Sequence, residues 1–319
     1  MAEGLRADPR LCTLSKALIY AKNMLLLEEA LYRTTPPQAA WVLLNWGAGW
    51  AAKPTVVLGI SGKPQQLVHV DNATEDGIPL VRRYSGGGTV LVDENVLLCS
   101  MILPKSFTGV EPFPRPVMRW TGRLYEGVFG APSGFGVAEN DYVVRMADGS
   151  MRKVAGNAQS FTKDRFVHHT SFLWKVDDGR MGRYLTLPQR QPQYRANRTH
   201  SDFLTGISTA FPDTFSSPQA LLHATQEVIT EEALRKGFQV AEVALSASSK
   251  ELSHFDGLIA QLCYDKPKLR STFFVDGTGA PLPEEANGRY ERLLYDAFRS
   301  AECRAFLDGQ GRSDLGLVV

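Results

Sequence analysis

The sequence predicts an α+β protein, a mostly antiparallel or mixed β-sheet flanked by helices. Three observations predict it. Short Val-, Ile- and Leu-rich segments crowd the first half of the chain, no regular crossover helices separate them, and long helical patterns dominate the last third. With 319 residues and 44% hydrophobic content, there is enough apolar material for one large core, or for a large domain with a small appendage.

From Ser15 to Arg33, Tyr20, Met24, Leu27 and Leu31 recur at helical spacing, which predicts a helix with Ser15 as N-cap and Pro36-Pro37 closing it. β-like segments follow at Trp41 to Leu44, Thr55 to Ile60, Leu80 to Arg83, Thr89 to Val92 and Val96 to Leu103. Four prolines between Pro104 and Pro116 mark an irregular connection, and Val117 to Val128 reads as a helix. Asp148-Gly149 between Asp141 to Met146 and Met151 to Ala155 predicts a tight hairpin, because Asp-Gly readily takes the positive φ that such turns require. A further strand is expected from His169 to Val176. Ser217 and Pro218 sit as cap and first residue of a helix running to Lys236; helices are also expected at Lys250 to Tyr264 and Glu284 to Leu307. The Ser/Ala-rich stretch from Ser246 to Lys250 divides residues 1–248 from a C-terminal segment, 249–319, expected to be a small helical extension or a reduced accessory domain.

Charge and composition exclude several classes of partner. Lys plus Arg (35) nearly cancels Asp plus Glu (34), so no global field recruits nucleic acid or an anionic membrane. The longest apolar stretch, Ala39 to Ala52, is broken by Asn45, Gly47 and Gly49, and falls short of the roughly 20 residues a spanning helix needs. Cys12, Cys99, Cys263 and Cys303 form no C-x-x-C pair and no disulfide framework, which fits an intracellular setting, either cytoplasm or mitochondrial matrix. Glu3 and Asp8 stand where a secretory signal would carry basic residues.

Two segments carry chemistry. In Arg82-Arg83-Tyr84-Ser85-Gly86-Gly87-Gly88-Thr89, three glycines leave backbone N–H groups open to an anion, and two arginines supply forked donors beside them. This is neither a Walker loop, since Gly62-Lys63 runs into Pro64, nor a G-x-G-x-x-G turn. In Arg152-Lys153-Val154-Ala155-Gly156-Asn157-Ala158-Gln159, on the second arm of the predicted hairpin, Lys153 is the candidate charge. Taken singly, a triple glycine is most often a turn and a strand lysine a solvated face residue.

Together, and in this order, they resemble the lipoate-protein ligase branch of the biotinyl and lipoyl ligase superfamily, whose loop reads R-R-x-S-G-G-G-[AT]-V and whose hairpin reads R-K-[VI]-x-G-x-A. Pro54 to Gly59, Asn140 to Val144, and Thr162 to Arg165 running into His168-His169 add to the match, which covers roughly residues 40 to 205. The resemblance implies ATP-dependent activation of lipoate to lipoyl-adenylate, then transfer to a lysine of a lipoyl-accepting domain in a 2-oxoacid dehydrogenase complex or the glycine cleavage H protein. It implies that Lys153 is the catalytic cation facing the lipoate carboxylate and the α-phosphate. It places ATP against Arg83, Gly88, Thr89, Val90, Leu91 and Lys153, and lipoate against Lys153, Arg82, Gly86, Gly87 and His169, with Leu58, Val90, Leu91 and Phe172 as candidate apolar wall. It also implies Mg²⁺ at Asp141, and a separate accessory subunit where a C-terminal accessory domain is lacking.

The chain departs from the pattern in places. Where the family reads G-R-x-Q-N, it has Gly59-Ile60-Ser61-Gly62-Lys63; Val92-Asp93 replaces His-Asp, and Thr170 follows His168-His169. The octanoyl and lipoyl transferase branch uses a cysteine before the lysine hairpin, where this chain has Ala138-Glu139-Asn140-Asp141. Three readings follow: an ATP-dependent ligase, a transferase of preformed lipoyl-adenylate, or a non-catalytic lipoyl-domain binding module. Arg190, Arg195 and Arg198 are candidates for meeting an acidic acceptor domain.

Overall fold

A computed structural model describes residues 10–15, 21–46, 54–130, 133–187, 191–244 and 271–282. In chain order the elements are β1 (Arg10–Ser15), α1 (Ala21–Thr34), β2 (Ala40–Trp46), β3 (Thr55–Leu58), α2 (Pro64–Leu67), α3 (Val70–Glu75), β4 (Leu80–Arg82), β5 (Val90–Val92) and β6 (Val96–Pro104). Then come α4 (Lys105–Thr108), α5 (Pro114–Phe129), β7 (Phe135–Ala138), β8 (Asp141–Arg145), β9 (Met151–Phe161), β10 (Arg165–Leu173) and α6 (Asp178–Tyr184). The remainder are α7 (His200–Phe203), α8 (Ile207–Ala210), α9 (Pro218–Arg235), β11 (Gln239–Ala244) and β12 (Phe273–Val275).

The large sheet has the order β11-β1-β2-β6-β10-β9-β8-β7. Its β11-β1-β2 side is parallel and every later pairing is antiparallel. This is the mixed, mostly antiparallel α+β architecture the sequence predicts. β6 and β10 occupy the middle and are buried along their whole length. Alternation of side chains then divides the core. Leu97, Cys99, Met101 and Leu103 of β6 face α5 and α9, whereas Val96, Leu98 and Ile102 face α1 and the small sheet. A strand buried on both faces reads as a continuous apolar run, which is why Val96 to Leu103 shows no polar alternation.

The small sheet, β12-β4-β3-β5, lies on the α1 side. Its outer strand, β12, comes from the C-terminal segment and pairs antiparallel with β4. The Glu29 carboxylate of α1 accepts from the amides of Ser271 and Thr272 at 2.8 and 3.0 Å. The described part of residues 249–319 is therefore a strand and turn built into the sheet. The helices expected at Lys250 to Tyr264 and Glu284 to Leu307, the boundary at Ser246 to Lys250, and Trp50 lie outside the described residues.

Several expectations are corrected. Ser15 does not cap a helix: it ends β1, because the apolar Leu11 to Leu14 run is stitched between β2 and β11, and α1 starts at Ala21. The proline-rich connection contains α4 and the start of α5, with Pro114 in the first turn, where a missing N–H costs nothing. The strand expected from His169 begins at Arg165, paired with Pro104 of β6. β9 runs on to Phe161, beyond the expected hairpin arm. The α9 helix starts as predicted, with the Ser217 side chain accepting from the Ala220 amide.

α1 is tied to the sheet by a buried arginine. Arg165 on β10 is 2% exposed, and its guanidinium donates to the carbonyls of Leu31, Thr35 and Pro36 at 3.0, 3.0 and 3.2 Å, gathering the carbonyls at the helix C-terminus.

Candidate active site

The glycine loop joins β4 to β5 and is shaped from below by Arg83. That guanidinium is 4% exposed, and its Nη2 donates to the Gly86 and Gly88 carbonyls, each at 2.8 Å. A trans peptide points its C=O and the following N–H in opposite directions. Turning those two carbonyls inward therefore turns the Gly87 and Thr89 amides outward. Burial pulls the guanidinium down to about 10, with the nearby Glu28 charge acting the other way. Gly87 has φ +105°, and a Cβ at Gly59 would stand 2.4 Å from the Gly87 carbonyl oxygen, so both positions require glycine.

Arg82 has a different task from the one expected. Its Nη1 donates to the carbonyls of Ile60 and Gly62 at 2.9 and 3.0 Å, and its Nη2 to that of Gly279 at 3.0 Å. It ties the loop before α2 to the turn after β12. Arg82 thus spends these donors on backbone, whereas Arg83 engages the loop carbonyls through Nη2 and keeps a buried Nε without a partner.

Lys153 stands on β9 opposite a register irregularity at Tyr142/Val143 of β8. Its Nζ lies 2.7 Å from Asp141 Oδ1, and the Tyr194 hydroxyl donates to Asp141 Oδ2 at 2.9 Å. The lysine side chain is 23% exposed. Its own carbonyl accepts from the Thr205 amide at 3.0 Å, which binds the 191–205 segment to the strand.

These parts surround one cavity of about 410 Å³. Arg83, Gly86, Gly87, Gly88, Thr89 and Val90 supply one side; Asp141, Lys153 and His169 supply the other. Leu25, Val57, Val92 and Leu98 complete an apolar wall. Of the residues singled out in the sequence, Arg82 does not line it, and Leu91, Leu58 and Phe172 are packed in the core. The Thr89 hydroxyl is a buried oxygen with no hydrogen-bond partner, an open polar position beside the loop.

The consecutive histidines face opposite ways, as neighbours on a strand must. His169 lines the cavity, and its Nδ1 donates to Glu28 Oε2 at 2.7 Å. Burial pushes the Glu28 carboxyl up, but the His169 charge and the hydrogen bonds from His169 and Ser100 together hold it below its ordinary value. Ser100 Oγ reaches Glu28 and the same Nδ1, so this is no Ser-His-acid triad, which engages both ring nitrogens. His168 lies behind the sheet, accepting at Nδ1 from Gln159 Nε2 at 2.9 Å, with Nε2 2.7 Å from the Tyr142 hydroxyl. Burial, aided by His169, pushes it down to about 3. Cys99 is fully buried and its thiol is pushed up to about 12, which removes it as a nucleophile.

Glu28, Ser100 and Tyr194 are not singled out by the sequence. Glu28 alone left a signal, since Glu28-Glu29 interrupts an otherwise apolar run from Met24 to Leu31. Of the arginines expected at a docking surface, Arg195 is buried, at 4% exposure, and Arg195 and the partly exposed Arg198 donate through Nε to each other's carbonyls. Arg190 lies outside the described residues. The donor set does not fit a resident Mg²⁺ either. Both Asp141 oxygens are engaged, and the described residues contain no group of three His, Cys, Asp or Glu side chains arranged to hold a metal ion.

Fold and cavity together define a mixed-sheet protein with a glycine cradle facing a paired lysine. Residues 20–228 match the family model of the lipoyl protein ligase A/B catalytic domain. The chain therefore belongs to that family. An inactive lipoate–protein ligase 2 of Plasmodium falciparum (isolate 3D7) is 32% identical over 198 residues, 53% of this chain and 52% of that one. The chain thus spans about half the length of that curated relative. A bi-partite lipoate protein ligase from Thermoplasma acidophilum, solved with its E2 lipoyl domain, superposes with TM-score 0.58 at 16% identity, covering 81% of this chain and 92% of that chain. Lipoate-protein ligase A bound with ATP superposes with TM-score 0.57 at 18% identity, covering 80% and 94%. The structural likenesses are likenesses of fold.

Proposed function

We propose that this protein is a lipoate-protein ligase: it activates lipoate with ATP and passes the lipoyl group to a lysine of a lipoyl-accepting domain. The observation that carries this reading is the Lys153–Asp141 pair standing in the same cavity as the outward amides of the glycine loop. In the first step a lipoate carboxylate oxygen attacks the α-phosphorus of ATP and pyrophosphate leaves. In the second, the acceptor amine attacks the acyl carbon, AMP leaves, and the amine loses its proton.

Each residue has a part in this. The Lys153 ammonium offsets negative charge on the carboxylate and α-phosphate as the mixed anhydride forms and breaks. The Gly87 and Thr89 amides, held outward by Arg83, cradle the anion. Leu25, Val57, Val90, Val92 and Leu98 take the aliphatic tail, with His169 closing that wall. Mg²⁺ enters with the ATP phosphates rather than in a protein cage. Residues 1–248 form the catalytic unit, with β12 of the 249–319 segment completing its small sheet. The acceptor class is supported by the Thermoplasma ligase solved with its E2 lipoyl domain.

A second reading has its own support. Ile60 stands, half exposed, where the family carries an arginine, which favours a transferase that consumes ready-made lipoyl-adenylate. Lipoate-dependent ATP–pyrophosphate exchange is the deciding measurement. Exchange is expected, together with lipoylation of an acceptor domain. Transfer from supplied lipoyl-adenylate without exchange selects the second reading, and neither activity overturns both.

A further inference from the structure

We propose that Asp141 and Tyr194 are positioning residues that fix the Lys153 ammonium in the cavity, the carboxylate being committed to the lysine rather than to a divalent metal ion. The inference rests on the role of Lys153 proposed above. A lysine head on four methylenes has many orientations, and a partly exposed ion pair constrains it little unless its partner is itself locked. Here the partner is locked. Asp141 Oδ1 meets Lys153 Nζ at 2.7 Å while Oδ2 accepts from the Tyr194 hydroxyl at 2.9 Å, so the carboxylate cannot rotate without breaking a bond at each oxygen.

Tyr194 is held by a segment built for rigidity. It lies in a 3₁₀ turn, Gln193–Arg195, followed by Ala196 and Asn197 at φ +51° and +57°, a left-handed pair without glycine. Such conformations persist only where the surroundings over-determine them. Arg195 and Arg198 exchange Nε-to-carbonyl bonds at 3.1 and 3.0 Å, and Arg198 Nη2 donates to the Tyr194 carbonyl at 2.7 Å. The Phe203 ring packs against the Tyr194 ring at 5.2 Å and under the Arg195 guanidinium at 4.5 Å. The segment then returns to the strand through the Thr205 amide on the Lys153 carbonyl. It thus grips Lys153 twice, by backbone and through Asp141. Burial, then the Asp141 charge, push the Tyr194 phenol up, which keeps it a hydrogen donor.

The test uses lipoyl-sulfamoyl-adenosine, a non-hydrolysable stand-in for the adenylate, titrated calorimetrically into the full chain and its Tyr194→Phe, Asp141→Asn and Lys153→Ala variants in EDTA. Transfer from lipoyl-adenylate to a lipoyl domain is followed under the same metal-free conditions. Tyr194→Phe and Asp141→Asn should each weaken binding and slow transfer by roughly tenfold, the scale of one charge-assisted hydrogen bond, with unchanged melting temperature and no recovery on adding Mg²⁺. Both variants conserve shape, so the test does not hang on one of them folding. Wild-type behaviour of both in EDTA, or recovery with Mg²⁺, overturns the positioning role while leaving the proposed function standing. Wild-type binding by Lys153→Ala instead overturns the function on which it rests.

Discussion

Arg83 and Lys153 are both cations on the wall of one cavity, yet they are held in opposite ways. Arg83 is buried and donates to backbone carbonyls of its own loop; Lys153 is partly exposed and paired with a single carboxylate. A planar guanidinium with forked, permanently charged donors suits bracing several carbonyls at once, whereas a compact ammonium can leave its partner for a ligand. The difference teaches that the arginine shapes the site, and, under the proposed function, that the lysine is the cation left to meet the ligand. Motif resemblance alone gives both a ligand to hold.

The contrast between the two cations can be broken at four places. Lys153→Ala should cost the greatest factor, on the order of 100-fold or more in adenylate formation or transfer, with little change in melting temperature. Steady-state lipoylation beside a thermal melt checks it, and a matching loss of stability would erase the contrast with Arg83. Arg83→Lys should behave in reverse: about 3 kcal/mol of stability is lost in urea unfolding, because the lysine chain is one bond shorter and its ammonium falls short of the Gly86 and Gly88 carbonyls that Nη2 reaches, and ligand binding falls with it. Gly59→Ala should cost about 2 kcal/mol and also weaken adenylate binding, since its Cβ meets the Gly87 carbonyl. Native stability and sulfamoyl-adenosine affinity should drop together in that variant.

The smallest effect concerns the histidine behind the sheet. His168 stays neutral in the fold down to about pH 3, while the unfolded chain takes up that proton near 6.5. Its contribution is therefore fully present above 6.5 and is lost as pH falls toward 3. Native stability should carry about 1.4 kcal/mol per pH unit from this group in that interval. Glu28, also held below its ordinary value, contributes only below about 4.5. Urea unfolding at pH 5 to 6.5 should thus show a shallower slope for His168→Gln than for the parent; equal slopes would mean that His168 is protonated in the native state.

Much of the fold is legible in the order of the residues. Ser217-Pro218 announces α9, Asp148-Gly149 announces the β8–β9 turn, and the apolar runs mark β2 to β6, because capping, turn chemistry and periodicity are local properties. The short helices α2, α3 and α6 are not legible, since four to seven residues span only one to two turns, too few for a pattern to repeat. β1 goes unread, its last residue Ser15 being taken for a helix cap, because its pairing partners lie far along the chain, at Ala40 to Leu43 and at Gln239 to Ala244.

The same division runs through the site. By itself the sequence determined the mixed α+β class, the glycine loop, Lys153 and their shared family, because those reside in residue type and order. Only the tertiary structure decided that Arg82 and Arg83 brace backbone, that Glu28 stands behind His169, and that Tyr194 holds the far oxygen of Asp141. Where a flexible side chain spends its hydrogen bonds depends on which distant carbonyls and carboxylates folding brings within about 3 Å, and no local pattern encodes that.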